Sequence, residues 1–177
     1  MRLTNSRHRH RYARAHGALR IALGDVMGVT TTPEFRRSRS GRPFLADGPH
    51  FSMSHAGEKS WLAISETPVG LDVVETGKSR GSLDETFVSA RDLQALALHG
   101  ISSENADVIA WAAKEACAKH ADDVDRAPGD WQLHRDGELV VRSCGHAPIA
   151  IELCHPERGY VAVIARWQAP FQIPEYE

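Results

Sequence analysis

The spacing of apolar residues divides the chain into a helical start, a middle of short strands, two further helices and a β-rich end. Residues 8–27 alternate apolar side chains at helical spacing with arginines, which predicts an amphipathic helix. The apolar positions of that helix are Tyr12, Ala15, Leu19, Leu23, Val26 and Met27. Residues 28–40 show no period, and we expect them to form a loop that ends in the turn Gly41-Arg42-Pro43.

Short strands are predicted next. Residues 51–55 and 61–65 have the composition of two strands joined in a hairpin, and residues 69–74 predict another strand. Residues 77–82, with the sequence GKSRGS, are expected to be a flexible join.

Two helices should follow this join. Ser89 with Asp92 three residues later predicts a capping box, at the start of a helix that stops near Gly100. Ser102 is a fair N-cap for the next helix, which is expected to reach about Ala121.

The last third of the chain predicts antiparallel strands. Residues 131–135 and 138–142 flank an Asp136-Gly137 turn, a strong hairpin signal, and residues 147–154 and 160–167 predict two more strands. Strands and helices are segregated along the chain, so we expect an α+β fold with largely antiparallel pairing.

Composition argues for a globular chain in the cytoplasm. The apolar fraction is 42% and the charged fraction 25%, and no apolar run reaches the roughly 18–20 residues of a membrane span. The N-terminus is basic, but its apolar stretch is interrupted by Arg20 and has no plausible cleavage site, so we do not expect a secretory signal. Three cysteines without metal-ligand spacing argue against a disulfide framework.

Charge is distributed unevenly along the chain. Residues 1–42 hold ten arginines, no lysine and two acids, a net charge of +8 in a chain whose total is −2. Such a segment can face phosphates, nucleic acid or an acidic protein, or it can be a solvated basic helix. Few aromatic residues accompany the arginines and the remainder is acidic, so we do not expect nucleic-acid binding.

Asp72 is the most informative single residue. Strand alternation places it on one face with Gly70 and Val74, opposite Leu71 and Val73. A carboxylate on a mostly apolar strand needs a cation or hydrogen bonds, and Gly70 would leave space beside it for a ligand. A structural salt bridge or a cap at the strand end is the alternative explanation.

The second of the two later helices carries an acid and a base on an otherwise apolar surface. Val108, Ala112, Glu115 and Lys119 fall on one stripe, where an internal Glu115–Lys119 pair is the simplest structural explanation. A histidine at a strand end, His55 after Ser54, can hold an anionic oxygen, although an isolated histidine is a weak signal.

Four motifs in this order resemble the larger, monomeric class of 4′-phosphopantetheinyl transferases, the type that activates surfactin synthetase. That family shows a Gly-Lys/Arg-Pro turn, a Ser-X-Ser-His-like strand end, a Gly-X-Asp-X-Glu strand and a helix with Trp-X-X-Lys-Glu-Ala-X-X-X-Lys. In this sequence they appear as Gly41-Arg42-Pro43, Ser52-Met53-Ser54-His55, Gly70-Leu71-Asp72 and residues 111–119. The resemblance covers about residues 8–167.

The resemblance implies an enzyme that moves the phosphopantetheine arm of coenzyme A to a serine of an apo acyl or peptidyl carrier protein. It implies Mg²⁺ held by Asp72 and Glu115, and a catalytic set of Glu115, Lys119 and Asp72. Contacts with coenzyme A are implied for Arg42, Ser54, His55 and Lys114. The implied fold is a monomeric pseudo-dimer of two similar α+β lobes, residues 1–68 and 69–177, with the ligand in the cleft between them and a shortened first lobe.

One residue departs from the family pattern. Val74 stands where the larger class has a second acid, and alternation should point Glu75 away from Asp72. Small trimeric holo-acyl-carrier-protein synthases also lack that middle acid, so we expect activity with the metal held by Asp72, Glu115 and water. A degenerate module that binds coenzyme A or a carrier without transfer is the alternative.

Overall fold

Three helices and nine strands make up the part of the chain that the computed structural model describes, which is residues 6–30, 33–77, 86–101, 103–123 and 125–167. The helices are α1 (Ser6–Met27), α2 (Ala90–Leu98) and α3 (Ala106–Ala121). The strands are β1 (Arg36–Arg37), β2 (Pro43–Phe44), β3 (His50–Ala56), β4 (Lys59–Ser65), β5 (Val69–Glu75), β6 (Gln132–Asp136), β7 (Glu138–Arg142), β8 (Ile149–Cys154) and β9 (Tyr160–Trp167).

All described strand pairs are antiparallel. A two-stranded ribbon joins β1 to β2, a hairpin joins β3 to β4, and a five-stranded sheet has the order β5-β9-β8-β7-β6. Because helices are segregated from antiparallel strands, the predicted α+β class is confirmed.

The two faces of the five-stranded sheet are covered by different elements. On one face, Val74 of β5 joins Val163 of β9 and Ala112 of α3 in the largest apolar cluster. On the other face, Leu71 and Val73 pack with the β3–β4 hairpin. This division follows the predicted alternation along β5, which is thereby confirmed.

Gly70 lies against the backbone of α3. A Cβ at this position would be 1.8 Å from the carbonyl oxygen of Ala116. The expectation that Gly70 leaves space for a ligand was therefore wrong, because the space is filled by the helix itself. The glycine instead permits close approach of α3 to β5.

Helix α1 covers the outer face of the hairpin. Its Leu19 and Leu23 are fully buried against Phe51 of β3. Of the predicted apolar stripe, Ala15 is also buried, whereas Tyr12 is 47% exposed. The basic helix therefore packs on the hairpin by a stripe narrower than the sequence predicted.

The predicted helix signals have mixed outcomes. Ser89 and Asp92 form the expected capping box at the start of α2, with hydrogen bonds in both directions. The α3 helix begins at Ala106 after a short 3-10 turn, while Ser102 and residues 78–82 of the predicted join lie outside the described residues. Among the described helices, none has the length and apolar character needed to cross a membrane.

Candidate functional site

Asp72 and Lys119, which are 47 residues apart in the sequence, form an ion pair between β5 and α3. Lys119 Nζ lies 2.7 Å from Asp72 Oδ1, and it also donates to the carbonyl oxygen of Leu71 at 3.1 Å. The Asp72 side chain is 14% exposed and that of Lys119 31% exposed. The structure thus brings two predicted catalytic residues together, with enough access for a ligand to compete for the ammonium.

Two serines of β3 supply hydrogen bonds to the edge of β5. Ser52 Oγ accepts the Leu71 N–H at 2.9 Å, and Ser54 Oγ accepts the Val73 N–H at 3.0 Å. Ser54 also donates its own proton to Asp72 Oδ1 at 2.8 Å. Both serines are buried, so the hydroxyl of Ser54 orients Asp72 while it joins the hairpin to the sheet.

A basic pocket of about 330 Å³ opens beside this ion pair. Its cationic and titratable lining consists of His16 from α1, Arg37 from β1, Arg42, His55 from β3 and Lys119 from α3. No carboxylate is among the described residues that line it, and Tyr12, Phe51 and Met53 give it apolar walls. We refer to it as the basic pocket; its charge suits an anion such as a phosphate.

His16 lies among the basic groups that line the basic pocket. Burial is the main cause that lowers the pKa of His16, and repulsion from Arg20, His55 and Arg37 lowers it further.

The arginines of the first helix contribute unequally. Arg20 stacks over Phe35 at 5.0 Å and lies close to His16, whereas Arg14 lines a different pocket, between α1 and the hairpin turn. The side chains of Arg9 and Arg11 lie outside the described residues. Sequence reasoning missed His16 and Arg37, because only the fold brings α1, β1 and β3 to one place.

Arg42 binds backbone oxygens of three elements. Its guanidinium donates to the carbonyl of Lys119 in α3, to Phe51 O of β3 at 2.7 Å and to Val69 O of β5 at 3.0 Å. The preceding Gly41 has φ +83°, a left-handed conformation that glycine adopts readily, which confirms the predicted turn. Arg42 lines the basic pocket, and three of its five N–H donors are engaged by the protein.

A second pocket, of about 530 Å³, adjoins the basic pocket. Its lining includes Glu115 and Lys119 of α3, and Asp123 and Arg126 from the segment after that helix. Arg42 and Lys119 line both pockets. We call it the helix pocket; it places the Glu115 carboxylate of α3 in a cavity that shares two lining residues with the basic pocket.

Lys114 is a buried lysine of α3 that also contributes to the lining of the helix pocket. Its Nζ donates to Asp92 Oδ2 at 2.7 Å and to the Phe87 carbonyl at 2.8 Å, and its side chain is 2% exposed. Burial raises the pKa of Asp92, but hydrogen bonds from Lys114, Leu133 N–H and Ser89 outweigh it and lower the pKa overall. The ammonium of Lys114 therefore joins α3 to Asp92 of α2, which in turn accepts the Leu133 N–H of β6, and a contact between this ammonium and coenzyme A would compete with the pair.

The neighbours of Asp72 on β5 add no further acid to the site. Val74 is fully buried in the core beneath α3. Glu75 lies on the opposite face, 3.9 Å from the position of a Cβ on Gly57 in the hairpin turn. Within the described ranges, no group of three or more His, Cys, Asp or Glu side chains is arranged to hold a metal ion by itself.

His120 follows Lys119 in α3 and is buried. It is 4% exposed, its ring packs edge-on against Trp167 at 4.7 Å, and neither ring nitrogen has a hydrogen-bond partner in the described structure. Burial, with repulsion from Arg42, lowers the pKa of His120 to about 4. It is therefore a neutral packing residue at ordinary pH.

Comparisons with characterised proteins point in one direction. The chain is 26% identical over 168 residues to the 4′-phosphopantetheinyl transferase Sfp of Bacillus subtilis (strain 168), and the alignment covers 85% of this chain and 75% of that protein. It is 31% identical over 87 residues to the 4′-phosphopantetheinyl transferase gsp of Aneurinibacillus migulanus, and this alignment covers 44% of this chain and 37% of that protein. No family model matches the chain.

Proposed function

We propose that this chain, which belongs to the 4′-phosphopantetheinyl transferase superfamily of the Sfp type, transfers the 4′-phosphopantetheine group of coenzyme A to a serine of an apo acyl or peptidyl carrier protein. The main observation behind the proposal is that the Asp72–Lys119 ion pair lies beside the basic pocket, which Lys119 lines. The alignment with the first relative extends over most of the chain and supports the same conclusion.

The proposed ligand cleft lies between two lobes, residues 1–68 and 69–177, as in a pseudo-dimer. One apolar cluster, around Leu23 and Phe51, lies before this boundary and another, beneath α3, lies after it, while a third, with Ala56, Leu71 and Val73, packs the two lobes together. The basic pocket draws residues from both sides of this boundary, with His16, Arg37 and His55 on one side and Lys119 on the other.

The basic pocket would bind the phosphates of coenzyme A. His55, His16 and Arg37 supply positive or hydrogen-donating groups, and Arg42 adds positive charge at the rim. Lys114, which lines the helix pocket, would contact coenzyme A only in competition with its ion pair to Asp92. Ser54 would act through Asp72, since its hydroxyl proton is donated to that carboxylate.

Transfer requires one bond to form and one to break. The carrier serine oxygen forms a bond to the β-phosphorus of coenzyme A, and the bond to the bridging oxygen breaks, so that 3′,5′-ADP leaves with the electron pair. Glu115 would accept the serine proton in the helix pocket, directly or through a water molecule. Lys119 would neutralise charge on the transferred phosphate, moving from Asp72 to do so.

The donor set fits Mg²⁺ bound together with the substrate. Asp72 and Glu115 offer two carboxylates, and Mg²⁺ commonly takes one or two carboxylates plus phosphate oxygens and waters. The buried Val74 and Glu75, which lies on the opposite face of β5, do not add a third. When bound, the ion would supply positive charge against the pyrophosphate.

The test is transfer itself. The full chain is incubated with coenzyme A, Mg²⁺ and a panel of apo carrier proteins, and intact mass reports addition of one phosphopantetheine group. We expect modification of at least one carrier, with a loss of at least about 100-fold in Asp72→Asn and Glu115→Gln at unchanged folding. Absence of transfer to every carrier, with coenzyme A still bound, would instead favour the binding-module alternative.

The remaining expectations are that the enzyme acts as a monomer in the cytoplasm. The three cysteines, Cys117, Cys144 and Cys154, are all free thiols, which fits a reducing compartment. Light scattering of the purified chain, with and without a carrier protein, measures the oligomeric state.

A further inference from the structure

Arg42 lies where the three elements of the candidate site meet. The elements are α3 with Glu115 and Lys119, β3 with Ser54 and His55, and β5 with Asp72. The guanidinium donates a hydrogen bond to one backbone carbonyl in each of them, at Lys119, Phe51 and Val69. Each of these carbonyls is within three residues of a proposed site residue or belongs to one.

The chemistry of arginine suits this position. A guanidinium has five N–H donors in a rigid plane, so a single side chain can bind carbonyls that approach from three directions. Lys119 O is one of the last four carbonyls of α3, which have no partner within the helix, and a cation at this end also complements the helix dipole.

The same loop attaches to the end of α3 at a second point. Ser40 donates its hydroxyl proton to Asp122 Oδ1, and Asp122 ends α3 in a left-handed conformation with φ +53°. The Gly41 turn between the two contacts lets Ser40 and Arg42 reach the helix end together. The loop is thus docked on the helix and holds its last turn.

We propose that Arg42 is a positioning residue for phosphopantetheine transfer, which holds α3, β3 and β5 in register instead of binding coenzyme A through its own hydrogen bonds. This inference rests on the proposed function. Three of the five N–H donors of Arg42 are engaged by backbone carbonyls. If these donors bound a phosphate instead, the partly buried carbonyls would be left without partners.

The experiment compares Arg42→Met and Arg42→Lys with Arg37→Met in the full chain. Arg37 is a matched control because it lines the same pocket but donates to a single carbonyl, that of Gly41 at 2.7 Å. For each variant we would measure kcat and KM for coenzyme A well below the unfolding temperature. Calorimetry would give the Kd of 3′,5′-ADP, and hydrogen–deuterium exchange would follow residues 117–121 of α3.

Arg42→Met should lower kcat by about 100-fold, because a displacement near 1 Å at the reacting groups has an effect of this size. Its Kd for 3′,5′-ADP should stay within about twofold, and exchange at the end of α3 should accelerate. Arg42→Lys should recover part of kcat, since an ammonium can bind carbonyls without the planar fork. Arg37→Met should show the converse: a higher Kd for 3′,5′-ADP, with kcat retained when coenzyme A is saturating.

Two results would overturn the inference. One is a Kd raised tenfold or more in Arg42→Met with exchange as in the wild type, which would make Arg42 a ligand of the phosphates. The other is a lower Tm in Arg42→Met with kcat unchanged, which would mean that Arg42 contributes only to the stability of the fold. If the wild type modifies no carrier, the proposed function fails, yet the exchange and Kd measurements still decide whether Arg42 holds the helix.

Discussion

Replacing Gly70 with alanine is expected to push α3 away from β5 and so to separate Lys119 from Asp72. The added Cβ would lie 1.8 Å from Ala116 O, 2.8 Å from His120 N and 2.9 Å from the carbonyl carbon of Ala116. All three atoms belong to the backbone of α3, so rotation of a side chain cannot relieve the contact. The helix or the strand has to move.

The size of the movement follows from these distances. Ordinary contact begins at 3.4 Å, so the two elements must separate by roughly 1.5 Å at this point. The 2.7 Å bond between Lys119 and Asp72 lies on the same interface and would lengthen beyond hydrogen-bonding range. Overpacking of a core costs about 1–3 kcal/mol, and a displacement near 1 Å at a reacting group lowers the rate about 100-fold.

The assay pairs thermal unfolding with carrier modification. We expect Gly70→Ala to lower Tm by about 5–10 °C in a chain of this size, and to reduce transfer by about 100-fold at a temperature where the variant is folded. Gly17→Ala in α1 is the matched control, because a Cβ there meets nothing within 4 Å. That change should raise stability by about 0.5–1 kcal/mol and leave transfer unchanged.

A Gly70→Ala variant that keeps the wild-type Tm and transfers within twofold of the wild-type rate would refute the reasoning. The packing of α3 on β5 would then be loose enough to absorb a methyl group. In that case the distance between Lys119 and Asp72 would not be set by this contact.

Three further predictions concern residues around the site. Ser54→Ala and Ser52→Ala each remove the acceptor of one β5 N–H and should cost a similar 1–3 kcal/mol by urea unfolding, but only Ser54→Ala also frees Asp72 and should slow transfer, by about tenfold. Equal rates in the two variants would contradict the role given to Ser54. Lys114→Met leaves a buried carboxylate unpaired and should lower the free energy of unfolding by about 3–5 kcal/mol, whereas a loss below 1 kcal/mol would show that the pair contributes little. The pKa of His120 is about 4 in the folded chain and near 6.5 in the unfolded one, so the unfolded state binds the proton first and stability should fall as the pH drops from 6.5 to 4. From pH 7 to pH 5 this loss is about 2 kcal/mol, and in His120→Phe the decrease measured by urea unfolding should be smaller by that amount; an identical pH dependence would show that His120 is not protected from protonation.

Local sequence signals predicted the helices and strands well, but they did not predict which side chains from distant elements pair with each other. The Ser89 capping box and the Asp136-Gly137 hairpin are governed by residues within a few positions of each other, and both were found. The two lysines of α3 could not be distinguished in this way. Lys114 meets Asp92 in the core and Lys119 meets Asp72 near the pocket, and both pairings depend on where α2 and β5 lie after folding.

The expectation for Gly70 failed for a related reason. A glycine beside a strand carboxylate indicates that something approaches closely, but the sequence does not say whether that is a ligand or another backbone. Here it is the helix that carries Glu115 and Lys119. The glycine still serves the site, since it sets how near those side chains come to Asp72.

The serine pair of β3 carried a signal that was readable in the sequence. Two buried serines spaced by two residues face one side of a strand, a spacing that matches the period of N–H groups along the edge of a neighbouring strand. A pattern of hydroxyls where apolar residues are expected therefore predicts a strand joined to its neighbour through side chains, because each buried hydroxyl needs a partner. On this reasoning Ser54 and Arg42 have related roles. Ser54 binds the backbone of β5 and the Asp72 carboxylate, and Arg42 binds the backbone of β5 and of α3, so together they fix the positions of Asp72 and Lys119 beside the basic pocket.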